Sequence, residues 1–186
     1  MTLNEFFLQF VNFNEAELAH LNALAKHEQI KKGEYLIKHG QVCDKLYFVT
    51  KGIFKLGYTN ETGEEVVLDF IFQNSFAVDY VSFLLQRPTE MDIIAVKDCQ
   101  LLSFERKSIL MLYEENIKFQ KMGRLISEFY FIRFAERIKE NSLPPKERYE
   151  KLVSTSCELI LEIPQYLIAS YLGISPEWLS KLRAKK

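Results

Sequence analysis

Hydrophobic residues change their spacing twice along this chain. They keep a helical period as far as Ala25, alternate from Ile30 to Phe104, and return to helical spacing after Glu105. Phe6, Phe7 and Phe10 mark one short amphipathic helix within residues 2–12. Asn14 and Glu17 then form a capping box for a second helix, with Phe13 placed to staple onto Leu18. Leu18, Leu21, Leu24 and Ala25 continue its buried face. The alternating region predicts strands at 35–38, 46–50, 53–58, 65–72, 91–97 and 100–104, separated by glycine-bearing turns. Lys51-Gly52, between two β-rich runs, predicts a hairpin turn. A helical patch from Asp79 to Gln86 interrupts the strands. Short strands at this spacing predict an antiparallel β-roll or jelly roll, and with the flanking helices an α+β fold.

The longest helix is expected from Asn116 to Asn141, ended by Ser142-Leu143-Pro144-Pro145. It carries two apolar stripes. Met122, Leu125, Phe129 and Ile132 form one, at coiled-coil spacing; Phe119, Ile126, Tyr130, Phe134 and Ile138 form the other. One stripe can pack on the roll. The other needs a partner, most economically the same helix of a second copy, and Met122, Leu125, Phe129 and Ile132 are the expected dimer seam. The alternative is a central helix of a monomer, buried on both sides. Pro144-Pro145 marks a boundary, and 146–157 is the next helix. The predicted units are therefore a roll with N-terminal helices at 1–115, a dimerisation helix at 116–143, and a helical unit at 144–186.

The last stretch, PQYLIASYLGISPEWLSKLRAKK, has a local role for nearly every residue. Pro164 can open a helix whose inner face holds Ile168, Ala169 and Leu172. Gly173 suits a left-handed stop, and Ser175-Pro176 an N-cap followed by N1 of a second helix. That helix buries Leu179 and Leu182, with Trp178 adjacent. Two short helices joined by a glycine turn predict a helix-turn-helix, whose second helix enters the major groove of double-stranded DNA. Glu177, Ser180, Lys181 and Ala184 are the residues expected to face the groove, with the N-cap Ser175 beside them in the DNA-binding set, and Arg183, Lys185 and Lys186 to meet phosphates. A plain helical hairpin on the surface is the bland alternative.

Charge sharpens this picture. The net charge of −1 does not by itself point to nucleic acid. Residues 1–143 hold 17 Lys+Arg against 20 Asp+Glu, whereas residues 144–186 hold 7 against 5. The basic excess therefore falls on the last helix, although a cationic helix end also complements the macrodipole. Cys43, Cys99 and Cys157 are an odd set without metal spacing, and no apolar run reaches transmembrane length. Reduced cysteines in a cytoplasmic protein, away from membranes, are expected. His20, His27 and His39 lack HxxxH or HxH spacing, which argues against a catalytic zinc and against an enzyme.

A roll, one long helix and a terminal helix-turn-helix together resemble the cyclic-AMP receptor and fumarate–nitrate reductase (Crp/Fnr) regulators. GEYLIKHGQVCDKLYFVTKGIFKLG, DCQLLSF and IASYLGISPEWLSKLR carry the resemblance. It implies a homodimeric transcription regulator that binds an inverted-repeat operator, with a roll that senses a small-molecule effector. It also implies where a cyclic nucleotide would sit, and there the chain departs. The family's Phe-x-Gly-Glu becomes Phe76-Ala77-Val78-Asp79, and its phosphate-gripping Arg-Ser becomes Thr89-Glu90. A buried phosphate without a guanidinium is costly, so Val78, Asp79, Arg87, Thr89 and Glu90 outline a pocket not expected to take cyclic AMP. Arg87 could substitute only if the loop shifted. The pocket is expected to hold an uncharged or cationic molecule, or nothing. Without an N-terminal cysteine cluster or a histidine on the long helix, no iron–sulfur or haem cofactor is expected. Pro176 stands where those regulators open the recognition helix with arginine, so a different operator is implied. Two other classes compete: a roll sensor whose terminal helices contact a protein, and a cupin-like enzyme.

Overall fold

The computed structural model describes residues 1–155 and 161–184. Two short helices come first, α1 (Leu3–Leu8) and α2 (Glu15–Leu24). Each opens on a capping box, Thr2 with Glu5 and Asn14 with Glu17, which satisfies amides that a helix start leaves unpaired. The ring of Phe13 stacks on Phe119, 5.4 Å between centroids.

Eight strands follow: β1 (Lys26–Ile30), β2 (Tyr35–Ile37), β3 (Lys45–Lys51), β4 (Ile53–Thr59), β5 (Glu65–Phe72), β6 (Phe76–Ala77), β7 (Asp92–Ala95) and β8 (Cys99–Glu105). They form two antiparallel four-stranded sheets, β1-β8-β3-β6 and β2-β7-β4-β5. The six strands expected from alternation are all present. The two additions are β1 and β6. The first, KHEQI, is a polar edge strand without an apolar rhythm, held by its register with β8 (Lys26↔Ser103 to Ile30↔Cys99). The second is only two residues long and is recruited by Tyr47 and Phe48.

The expected hairpin at Lys51-Gly52 is not a hairpin. Strand β3 pairs with β8 and β6, whereas β4 pairs with β5 and β7, so the chain crosses there from one sheet to the other. Gly52 takes φ 109° at that corner, and a side chain on it would run into Cys99.

Helix α3 (Tyr80–Leu85) lies between β6 and β7 in the chain, capped by Asp79 and closed by Gln86 in the left-handed conformation. Helices α4 (Arg106–Glu115) and α5 (Ile117–Asn141) pack on the β1-β8-β3-β6 sheet. Asn116 joins them: it ends α4, caps α5 through its side-chain oxygen, and reaches Glu17 of α2. Along β3 and β8 the alternate residues Phe48 and Phe104 meet Phe6 and Phe7 of α1, which identifies this as the helix-facing side of the sheet.

The remaining helices are α6 (Pro145–Thr155), α7 (Gln165–Leu172) and α8 (Pro176–Ala184). Pro164 is the N-cap of α7, one position before the helix it was expected to open. These helices do not stand apart from the roll. Ile53, Val67 and Phe70 of the β2-β7-β4-β5 sheet, and Val96 just past β7, share one buried core with Leu152, Leu167, Ile168, Tyr171, Leu172 and Leu179. The Ser170 hydroxyl accepts from the Val67 amide at 3.0 Å and donates to the Glu65 carbonyl at 2.9 Å, so α7 extends the hydrogen bonding of β5. Ser170→Ala should therefore cost about 1–3 kcal/mol of stability by leaving that amide unpaired. Urea unfolding would measure it, and an unchanged midpoint would mean the helices do not dock this way in solution.

Candidate functional site

Three places answer the sequence expectations: the loop where a cyclic nucleotide would sit, the long helix, and the terminal helix pair.

At the loop, residues 76–79 alternate across the sheet. Phe76 and Val78 are half-buried among the core residues on the helix side. Asp79 turns the other way, toward Thr89. One oxygen of Asp79 accepts from the amides of Val81 and Ser82 at 3.0 and 3.1 Å, and the other accepts from the Thr89 hydroxyl. That hydroxyl in turn accepts from the Met91 amide at 3.0 Å, and Thr89 is only 2% exposed. The Thr89 backbone is bonded on both sides, to Gly40 and Gln41. Both carboxylate oxygens of Asp79 and the Thr89 hydroxyl are thus engaged by the protein itself. Arg87 and Glu90 are exposed, and the Arg87 carbonyl accepts from Ser82. The structure joins Asp79 to Thr89 and leaves Val78, Arg87 and Glu90 elsewhere.

The long helix corrects the expected seam. Met122 is 6% exposed and Leu125 is half-buried, both against their own protomer's core. They are not free for a partner. The division runs across the helix axis instead of along a stripe. Phe119 and Met122 are buried, whereas Phe131, Ile132, Phe134 and Ile138 are 70%, 58%, 62% and 55% exposed. Phe129 lies at the boundary, 39% exposed and edge-on to Phe10. The first half lies on the β1-β8-β3-β6 sheet, and the second half keeps contact with the roll through Arg137.

Lower on α5, Arg137 bridges three elements. It pairs with Asp69 of β5 at 3.3 Å and with Glu140 at 3.4 Å, and its guanidinium lies 4.2 Å from the centre of the Tyr171 ring. From α6, Arg148 covers the same ring at 5.3 Å and donates to the Tyr171 carbonyl at 2.6 Å, satisfying the open end of α7. Burial also lowers the pKa of Arg148. No local pattern announces this cluster, since its members come from four separate elements.

In the terminal pair, Gly173 ends α7 in the left-handed conformation, φ 68°. Ser175 caps α8 by accepting from the Trp178 amide at 3.2 Å. Leu179 is fully buried and Leu182 half-buried, while Trp178 is 43% exposed instead of joining the core. Glu177, Ser180, Lys181 and Arg183 are all exposed. Hydrogen bonds from its own amide and from the Ser175 hydroxyl hold the Glu177 carboxyl below the usual carboxylate range. Ser175 and Glu177 therefore serve the helix start in the free protein. Lys185 and Lys186, and Cys157, lie outside the described residues. Cys43 and Cys99 are buried free thiols, and burial pushes both pKa values up. Among the described residues there is no His/Cys/Asp/Glu group that could hold a metal, and no helix is long and apolar enough to cross a membrane.

Two crossed antiparallel sheets closed by a small helix define a cyclic nucleotide-binding type of roll. A family model of the cyclic nucleotide-binding domain matches residues 27–116. Over 183 residues the chain is 25% identical to the anaerobic regulatory protein of Pasteurella multocida (strain Pm70), covering 91% of this chain and 66% of that protein. Over 83 residues it is 28% identical to the potassium channel SKOR of Arabidopsis thaliana, covering 44% of this chain and 10% of the channel. Both curated relatives are thus spanned over less than two thirds of their length. The solved structure of FixK2 from Bradyrhizobium japonicum has a TM-score of 0.72 at 13% identity, covering 87% of this chain and 83% of that one. Residues 27–116 thus match the cyclic nucleotide-binding domain, and most of the chain is similar to that anaerobic regulatory protein.

Cyclic AMP is expected not to bind measurably, because Asp79 and Thr89 are closed on each other and no guanidinium joins them. Calorimetry would test this, and a micromolar Kd would contradict it. Thr89→Arg alone should not restore binding, since it places a long cation in a fully packed position.

Proposed function

We propose that this protein is a homodimeric DNA-binding transcription regulator whose roll does not use cyclic AMP. The observation that carries the proposal is the terminal pair. A left-handed Gly173, the Ser175 cap and the buried Leu179 fix α8 with Glu177, Ser180, Lys181 and Arg183 outward. A helix held on one apolar side and bare and basic on the other has the form of a recognition helix in a helix-turn-helix. In this reading the chain divides into a roll (1–115), a dimerisation helix (116–143) and a DNA-binding unit (144–186).

The exposed apolar side chains on the second half of α5 support the dimer. Fully burying one phenylalanine or isoleucine gains about 1.5–3 kcal/mol, and four such residues are more than half exposed on one helix half. A second α5, related by a two-fold axis, would cover them and would set two recognition helices side by side. Phe134→Glu should give a monomer while sparing the protomer's core. Sedimentation velocity at micromolar concentration would report it. A variant that stays dimeric, or a monomeric wild type, would remove the seam.

Lys181 is assigned to base edges and Arg183 to phosphate. Lys181→Ala should then cost roughly 1–3 kcal/mol on the preferred site and much less on random DNA. Arg183→Ala should weaken both alike and flatten the salt dependence by about one ion. Gel-shift titrations at several salt concentrations would separate them. If both variants behave alike, only nonspecific binding is left, and a protein partner for α8 becomes the better reading.

A further inference from the structure

On the helix side of the β1-β8-β3-β6 sheet lies an apolar cavity of about 250 Å³. Its walls include Phe76 and Phe104 from the sheet, Phe83 from α3, Ile109 from α4 and Ile126 from α5. It shares Phe76 and Val78 with the loop described above but lies on the opposite side of it from the Asp79–Thr89 pair: Asp79, Arg87, Thr89 and Glu90 do not line it. A cavity of about 150 Å³ lined by Leu, Ile and Phe accommodates benzene, so this one has room for about ten to fifteen non-hydrogen atoms.

Its polar groups are few and specific. Arg106 is the one charged residue in the wall. It is half-buried, and its Nε donates to the Phe83 carbonyl at 3.0 Å with the guanidinium 5.9 Å from that ring. Its two terminal amino groups make no hydrogen bond to the described residues. Nor does the hydroxyl of Tyr113, which lies so close to Gly123 of α5 that a side chain there would collide with it. Burial pushes the Tyr113 phenol up to about 12, so it is a neutral donor at physiological pH.

These groups select a ligand class. A cation would be repelled by Arg106, and a wholly apolar molecule would seal its amino groups away from any acceptor. A phosphate would bring two charges against one guanidinium. A carboxylate matches the planar fork of donors. We propose that the cavity binds an amphipathic monocarboxylate, with its apolar body in the cavity and its carboxylate on Arg106. Because the walls come from α3, α4 and α5 together, an occupant would brace α5 against the roll. Its action as an effector rests on the regulator reading; its binding does not.

Sodium decanoate is the probe, titrated calorimetrically into the full chain, with decanol as the uncharged control. Saturable binding at one site per protomer is expected, weakened at least tenfold by Arg106→Gln and by Ile126→Trp, which fills the cavity. Decanol should bind wild type and Arg106→Gln equally. Absence of saturable decanoate binding, or affinities unchanged in both variants, would overturn the proposal. A decanol affinity that falls with Arg106→Gln as far as decanoate's would overturn the carboxylate assignment. If Ile126→Trp fails to fold, Arg106→Gln and decanol still decide. Gel shifts with and without decanoate separate the two readings: binding without any DNA complex keeps the site and removes the regulator, whereas a DNA complex without binding does the reverse.

Discussion

Helix α5 buries one face along its first half and, along its second, exposes its large apolar side chains while keeping Arg137 on β5, and the other elements are arranged by that asymmetry. Phe119 and Met122 have no exposure to spare because the sheet, α2 and α4 close over them. A few turns later Phe131, Ile132, Phe134 and Ile138 project beyond anything the same protomer offers. Apolar surface of that kind is removed from water by association, and a helix is most simply covered by its own symmetric copy. The same helix forms one wall of the apolar cavity and supplies Arg137 to the contact between β5 and Tyr171 of α7. One rigid rod thus touches the roll, the cavity and the terminal helices.

The terminal helices are coupled to the roll more tightly than a linker would allow. Residues Ile53, Val67 and Phe70, with Val96 just past β7, give the β2-β7-β4-β5 sheet an apolar outer face, and α7 covers it. Ser170 continues the hydrogen bonding of β5, Arg137 and Arg148 sandwich Tyr171, and Lys97 pairs with Glu162 across the same boundary. Any movement of α8 relative to the roll must break or slide this contact. Both Arg137 and Arg148 have a buried Nε without a hydrogen-bond partner, so the junction is satisfied in its ion pairs and rings but not in every donor.

Much of this was legible in the residues. Alternation revealed six strands, since each has one face on a core, and Asn14 and Ser175 announced two helix starts through their capping chemistry; the caps Asp79 and Asn116 were read only as the first residues of helical stretches. Strand β1 was illegible because an edge strand needs no apolar rhythm when its partner's backbone holds it. The corner at Gly52 looked like a hairpin because turn residues report a change of direction and not the sheet that receives the chain. The seam on α5 was read as a stripe because periodicity carries no information about where the roll ends along the helix. Its burial is set by length, so Met122 and Leu125 went to the core and Phe134 and Ile138 to the surface. That Thr89 stands where the resemblance implies an arginine was readable in the sequence, whereas its closure on Asp79 was not. The cavity and the Arg137–Tyr171–Arg148 cluster were not, because both are assembled from residues far apart in the chain.

The dimer seam and the outward face of α8 make a joint claim about symmetry, and DNA is the ruler that measures it. Selection of binding sites from a random double-stranded library by the full chain tests that claim most directly. An inverted repeat with half-sites about one helical turn apart is expected, because in the proposed dimer a two-fold axis through α5 would relate two α8 helices. Recovery of a single unrepeated site, or of no preferred sequence, would contradict it.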